Sequence, residues 1–298
     1  MIAAEKGWDP AMMAYNRPRV AAVILNYNTG DDGRKCLHYL HSQKDADVWI
    51  VVVDNGSTLP GEAERLEALC QEYGAALILN RENGGFSAGN NLGLRAAAAH
   101  GADWMLVLNP DVELLDPHYI RSVMDQLENW PEAAVIGTNV LLPDGRRQNP
   151  MREPGCLAEV FWPAQKIRRK LGLGYGHLAP DRTGYCEKVA GCCFFVSREC
   201  LEAIGYLDEH VFMYCEEPIL AKQARKAGFR ELYLREITAY HAHRSRTEGK
   251  AQAMLMLLRS RIYYIQRYSG YPPVLKQGAL LSKRAELLFW KHRSRCQR

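Results

Sequence analysis

The feature that most constrains this chain is an alternation of short apolar runs with amphipathic segments, repeated at about 25-residue spacing. Residues 20–25 (VAAVIL), 48–53 (VWIVVV), 75–79 (AALIL) and 104–108 (WMLVL) are each apolar throughout and of strand length. Between them, 31–42, 62–73 and 86–100 read as helices. Cys36, Leu37 and Leu40 share a face in the first, and Leu66, Leu69, Cys70 and Tyr73 in the second. Apolar strand, helix, apolar strand is a βαβ unit, so the pattern predicts a mostly parallel sheet covered by helices on both faces. Ligands bind such sheets at the carboxyl ends of the strands. Those ends are polar here: Asn26-Tyr27-Asn28, Asp54-Asn55-Gly56-Ser57, Arg81-Glu82-Asn83-Gly84-Gly85 and Asn109-Pro110-Asp111. All four turns are expected on one rim.

The second half is less regular. Pro143-Asp144-Gly145 predicts a turn, and 151–184 is rich in Gly, Pro and basic residues, which predicts a mobile insertion. A strand is expected over 188–196, short helices over 198–204 and 216–228, the latter with Gly228 as its C′ residue, and a strand over 230–240. An amphipathic helix is expected over 251–267 and another over 280–290.

Charge is unevenly placed. The chain carries +4 overall, but residues 244–298 hold 13 Lys and Arg against Glu248 and Glu286, a net +11, which leaves −7 for the rest. Such a tail is attracted to anionic surfaces. Nucleic acid is the poorer candidate because no recognised motif accompanies the charge, and phospholipid headgroups are the better one. Nine scattered cysteines without a CxxC pair argue for buried, reduced thiols rather than zinc or disulfides. No apolar h-region precedes Arg17, and no run reaches the roughly 20 apolar residues of a spanning helix. The expected location is the cytoplasm, peripherally at the inner face of the membrane.

Three constellations carry chemistry. Asp111 closes an apolar strand with Asn109 two residues before it, a pairing suited to Mg²⁺ or Mn²⁺ with positions left open for phosphate, although Asn-Pro-Asp is also ordinary turn chemistry. Glu216 and Glu217 open a helix ahead of Pro218. The helix dipole favours carboxylates there, and one of a close pair is also a natural general base. His241 and His243 alternate along a strand end, so at most one faces a shared site. The 83–93 loop entering a helix lacks the GxGxxG pattern, which argues against a plain dinucleotide site.

Taken together, VAAVILNYNTG at 20–30, VVVDNGST at 51–58, NRENGGFSAGNNLGL at 80–94, LVLNPDV at 106–112 and AGCCFFVSRECLEAIGYLDEHVFMYCEE at 190–217 resemble family 2 glycosyltransferases, notably rhamnosyltransferase-like members of bacterial polysaccharide biosynthesis. The resemblance implies an α/β GT-A domain over 18–245, with a C-terminal extension of amphipathic basic helices over 246–298. It implies an inverting transfer of a sugar, rhamnose by preference, from a dTDP- or UDP-linked donor to a glycan or polyprenyl-linked acceptor, with a divalent cation, Mg²⁺ or Mn²⁺. Carried over, Asn26, Asn28, Asp54, Asn83, Gly85, Asn90 and Asn109 bind the donor. Asp111 is the principal metal carboxylate, with His241 or His243 near the metal. Glu217 stands at the base position, with Glu216 the alternative. The chain departs from the family in having Asn109 as the first member of the acidic metal motif and Ile219 where another Asp follows the base. Two rivals stand beside this reading. One is a sugar nucleotidyltransferase, which needs a basic Gly-rich loop that the first strand lacks. The other is a glycosyltransferase-like binding protein without activity.

Overall fold

The computed structural model describes residue 8 and residues 18–29, 32–161, 182–242 and 249–295. The expected βαβ series is present as β1 (Val20–Asn26), α1 (Asp32–His41), β2 (Val48–Asn55), α2 (Glu62–Tyr73), β3 (Ala76–Asn80), α3 (Gly85–Ala99) and β4 (Trp104–Leu108). These strands lie in the order β3-β2-β1-β4, all parallel, so their carboxyl ends share one rim.

The sheet continues through β8 (Cys193–Ser197), antiparallel to β4, then β6 (Ala133–Leu141) and β9 (Arg230–His241), with β5 (Val112–Glu113) and β7 (Gly184–Cys186) pairing with β9. Short helices α4 (Tyr119–Met124), α5 (Cys156–Val160) and α6 (Arg198–Ile204) and the longer α7 (Glu216–Lys226) flank this half. The turn at 143–145 closes a hairpin, with Leu141 facing Arg147. Of the 151–184 insertion, α5 and the start of β7 are described, while residues 162–181 lie outside the described residues.

Strand alternation sorts the core. Val20, Ala22 and Ile24 face α1 and α2 on one side, and Ala21 and Val23 face Leu94 and Ala97 of α3 on the other. Fully burying each such aliphatic contributes about 1.5–3 kcal/mol. Helix α3 lies flat on β1 because its inner positions have no side chain. A Cβ at Gly93 would stand 2.4 Å from Val23 Cγ1, and one at Gly89 would stand 2.5 Å from Leu25 Cδ1.

Two expected elements differ. The 188–196 strand begins only at Cys193, because the amides of Val189 and Ala190 bond to the side chains of Glu231 and Asn149 instead of a neighbouring strand. The final helix starts earlier than expected, at Pro273, where proline suits the first helical position. Helices α8 (Lys250–Arg267) and α9 (Pro273–Arg295) share an apolar cluster with the start of α7 and the segment before it. Tyr264, Ile265, Ala279 and Leu280 pack with Val211, Cys215 and Ile219.

Candidate active site

The rim beside β1 and β2 is a mesh of carboxamides. Buried Asn26 donates to Asp54 Oδ1 (3.2 Å), Ser57 Oγ (3.1 Å) and Glu62 Oε1 (3.2 Å). Asn28, with φ 54°, accepts the amides of Thr58 (2.8 Å) and Leu59 (3.0 Å). Asn55 donates to Asn83 Oδ1 and to the Gly85 carbonyl, both at 3.0 Å, and accepts from Asn80 (3.1 Å). The sequence thus assembles Asn26, Asn28, Asp54 and Asn83 on one edge. Glu62 and Asn55, which brace it, carried no separate sequence signal beyond their neighbours.

The start of α3 is closed by protein groups. Gly84 N–H reaches Asn55 Oδ1 (3.3 Å), Gly85 N–H reaches Asn83 Oδ1 (2.9 Å) and Phe86 N–H reaches the Phe212 carbonyl (2.8 Å). These amides are therefore spent on Asn55, Asn83 and residue 212 rather than left open for an anion. Asn90 is fully buried and donates to the Phe86 carbonyl (3.0 Å), beneath the loop. Gly85 has φ +88° and leaves no room for a Cβ, which would stand 2.2 Å from the Phe212 oxygen.

The next rim position holds the metal candidates. β5 and β9 pair with Val112 opposite His241, which sets Asp111 beside the end of β9. Asp111 Oδ1 lies 3.2 Å from His241 Nε2. His241 Nδ1 lies 2.7 Å from Gln148 Oε1. An amide oxygen only accepts, so Nδ1 donates to it, and the ring presents Nε2 to the carboxylate. A carboxylate oxygen and an imidazole nitrogen set this close can ligate one cation. One carboxylate and one imidazole suit an ion that takes its remaining ligands from diphosphate and water, so the pair fits Mg²⁺ or Mn²⁺. Among the described residues, no group of three or more His, Cys, Asp or Glu forms a closed cage. His243 lies outside the described residues.

Glu216 and Glu217 open α7, as expected. The backbone entering it is strained: Tyr214 and Cys215 take φ 69° and 67°, the left-handed region that non-glycine residues avoid. Burial, followed by the nearby Glu217 charge, pushes the Glu216 carboxyl up to about 8. Buried Glu231, which the sequence reading did not pick out, lines the same cleft and is likewise pushed up to about 8, mainly by burial. Its Oε2 accepts the Val189 amide (2.7 Å).

Residues 191 and 192 are the floor shared by both groups. A Cβ at Gly191 would lie 3.4 Å from Glu217 Oε1. Cys192 next to it accepts the Asn109 amide through its carbonyl (2.8 Å), and its thiol lies 3.5 Å from Gln148 Oε1. Burial pushes that thiol well up, and the charges of Asp111 and Glu217 both add to the effect, so both carboxylates act on this one side chain. Asn109 backs Asp111 through its backbone, since the Val112 amide bonds its carbonyl (3.1 Å).

The sequence profile of Glycosyl transferase family 2 matches residues 21–203, more than half of the chain. An N-acetylglucosaminyl-diphospho-decaprenol L-rhamnosyltransferase of Mycobacterium tuberculosis is 29% identical over 84% of this chain and 85% of its own. A low-salt glycan biosynthesis hexosyltransferase of Haloferax volcanii is 28% identical over 74% of this chain and 66% of its own. Among solved structures, a mannosyltransferase from Pyrobaculum calidifontis in complex with GDP-Man and Mn²⁺ superposes with TM-score 0.57 at 16% identity, covering 94% of this chain and 77% of that one. GalNAc-T7 with UDP, GalNAc and Mn²⁺ superposes with TM-score 0.58 at 13% identity, covering 85% and 52%. The fold is GT-A, and the chain belongs to glycosyl transferase family 2.

Proposed function

We propose that this glycosyltransferase moves a hexosyl group, rhamnose by preference, from a dTDP- or UDP-linked diphosphate to a hydroxyl of a glycan or polyprenyl-linked acceptor, with inversion at C1. Support for the reading comes from the Gly191–Cys192 segment: Glu217 lies against Gly191, and the Cys192 carbonyl holds the amide of Asn109, two residues before Asp111. Glu217 takes the acceptor hydroxyl's proton as that oxygen attacks C1, and the C1–O bond to the diphosphate breaks on the opposite face. Asp111 and His241 hold a divalent cation, whose charge when bound offsets that of the departing diphosphate. Asn26, Asn28, Asp54 and Asn83 orient the nucleotide. The preference for rhamnose and for a lipid-linked acceptor rests on the mycobacterial relative's name.

Acceptors of that kind lie in a membrane, and α9 offers a face suited to its cytoplasmic surface. Val274, Leu281, Leu288 and Phe289 are exposed, with Arg284, Lys291 and Arg293 exposed among them. Lys283 and Trp290 of the same helix turn inward. Lys283 pairs with Glu159 and Glu286, and Trp290 packs on Leu255 and Leu258. No helix among the described residues is long and apolar enough to cross a membrane.

The test is a transfer assay with Mn²⁺ and a panel of dTDP-, UDP- and GDP-sugars, reading the anomeric configuration of the product by NMR. The expected result is turnover of one donor with inverted product. Retained configuration, or no turnover of any donor with a polyprenyl-diphosphate glycan present, contradicts the proposal.

A further inference from the structure

The return arm of the hairpin closed at 143–145 carries a side chain that touches both the metal candidates and the floor. The Gln148 amide bonds the Val140 carbonyl (2.9 Å). Buried Asn149 next to it donates to the Thr138 carbonyl (2.9 Å) and accepts the Ala190 amide (2.6 Å). The backbone around Gln148 is thereby fixed to β6 and to the segment leading into the floor. Gln148 itself is half-buried. Its Oε1 accepts from His241 Nδ1 at 2.7 Å, and the Cys192 thiol donates to the same oxygen at 3.5 Å.

These contacts close a circuit around the cation pair. Asp111 Oδ1 lies 3.2 Å from His241 Nε2, and His241 leads through Gln148 to Cys192. The Cys192 carbonyl then accepts the amide of Asn109 (2.8 Å), two residues before Asp111. The backbones of the two candidate ligands are already joined, since the Ala242 amide bonds the Asp111 carbonyl (2.8 Å) and Val112 pairs with His241. Strand register does not set the turn of the imidazole about its own side-chain torsions, and the ring has two distinct nitrogens to present. Gln148 selects one arrangement. With Nδ1 donating to an amide oxygen, Nε2 is the atom that faces Asp111. His241 is only 5% exposed, so bulk water does not replace that acceptor if it is lost.

We propose that Gln148 is a positioning residue for the divalent cation, holding the His241 ring so that Nε2 and Asp111 Oδ1 converge on one ion. The inference rests on the reading of Asp111 and His241 as the cation pair. Removing the partner of a ligating histidine's other ring nitrogen typically lowers metal affinity about 10–100-fold. The role needs only an acceptor. An amide supplies it without placing a second negative charge beside Asp111.

The experiment is the Mn²⁺ affinity of the full chain, read by electron paramagnetic resonance with UDP or dTDP present, and melting temperatures alongside. The parent is compared with Gln148→Met, Gln148→Glu, His241→Ala and the double variant of Gln148→Met with His241→Ala. Met keeps the length of Gln without the acceptor, and Glu keeps the acceptor. Gln148→Met is expected to bind Mn²⁺ about tenfold more weakly, and Gln148→Glu to stay near the parent. The double variant is expected to bind no more weakly than His241→Ala, since Gln148 acts only through that ring. Parent-like affinity in Gln148→Met, equal losses in Gln148→Met and Gln148→Glu, or additive losses in the double variant overturn the inference while His241→Ala is weakened. Parent-like affinity in His241→Ala, or no Mn²⁺ binding by the parent, overturns the cation pair instead. A purely structural Gln148 lowers the melting temperature and adds its loss to that of His241→Ala. Where His241→Ala binds too weakly to measure, the contrast between Gln148→Met and Gln148→Glu decides the matter.

Discussion

The two halves of the rim are built from different interactions. On the β1–β3 side, neutral carboxamides bond to turns about 30 residues away: Asn26 to Asp54, Asn28 to Thr58, Asn55 to Asn83. On the Glu217 side, buried charges pair across far longer separations, such as Arg261 with Glu159, 102 residues apart. A neutral mesh costs little to lose one bond at a time, about 1 kcal/mol each. A buried charge left alone costs several times that. The β1–β3 side should therefore tolerate single changes that the Glu217 side does not, and the two sides meet at Gly85, against residue 212.

The comparison breaks most sharply at Arg261. Arg261→Met leaves Glu153 with Lys188 and Glu159 with Lys283 as their remaining cations, and should destabilise the protein by about 3 kcal/mol, lowering the melting temperature by roughly 10 °C. Asn55→Ala, the matching cut on the β1–β3 side, should cost clearly less. Equal losses in thermal unfolding would erase the distinction. Gly85→Ala comes next. It forces a Cβ onto the Phe212 oxygen at φ +88°, so about 2–3 kcal/mol and a raised donor KM are expected. A donor KM unchanged in that variant would separate the two halves altogether.

A smaller effect sharpens the contrast through pH. Glu231 has its carboxyl raised to about 8 in the folded chain, so the stability tied to its protonated form is full at low pH and is lost as pH rises through about 8. Glu231→Gln cannot ionise, and its melting temperature should fall less between about pH 6 and pH 9 than that of the parent. Parallel curves would mean that Glu231 is already ionised in the folded chain by about pH 6. The smallest effect belongs to the outer face of α9. Replacing Leu281, Leu288 and Phe289 by Ser should leave stability within about 0.5 kcal/mol per site while abolishing flotation with anionic liposomes. Undiminished flotation would remove α9 from the membrane proposal.

The β1–β3 side was legible because its information is local. Each strand ends in the turn it needs, and period and turn chemistry place Asn26, Asp54 and Asn109 on one rim without knowledge of the fold. Asp111 and His241 could be named from the sequence, but their pairing depends on the β5–β9 register, which no local pattern sets. Glu231 was hidden because a single Glu in a strand reads as a solvent-facing residue, and only its contact with the Val189 amide shows otherwise. The inward turn of Lys283 was hidden for the same reason. In a helix dotted with Lys and Arg, the one that turns inward is selected by Glu159, 124 residues earlier in the chain.

The most direct test separates binding from turnover at the shared floor. Calorimetric titration of the donor nucleotide, with and without Mn²⁺, is compared with turnover in Glu217→Gln and Asp111→Ala. Glu217→Gln should keep Mn²⁺-dependent nucleotide binding and lose about 10²–10⁴-fold in kcat, whereas Asp111→Ala should lose both. Full turnover in either variant, or nucleotide binding in Asp111→Ala that still responds to Mn²⁺ as the parent does, would contradict a single site built from these two carboxylates.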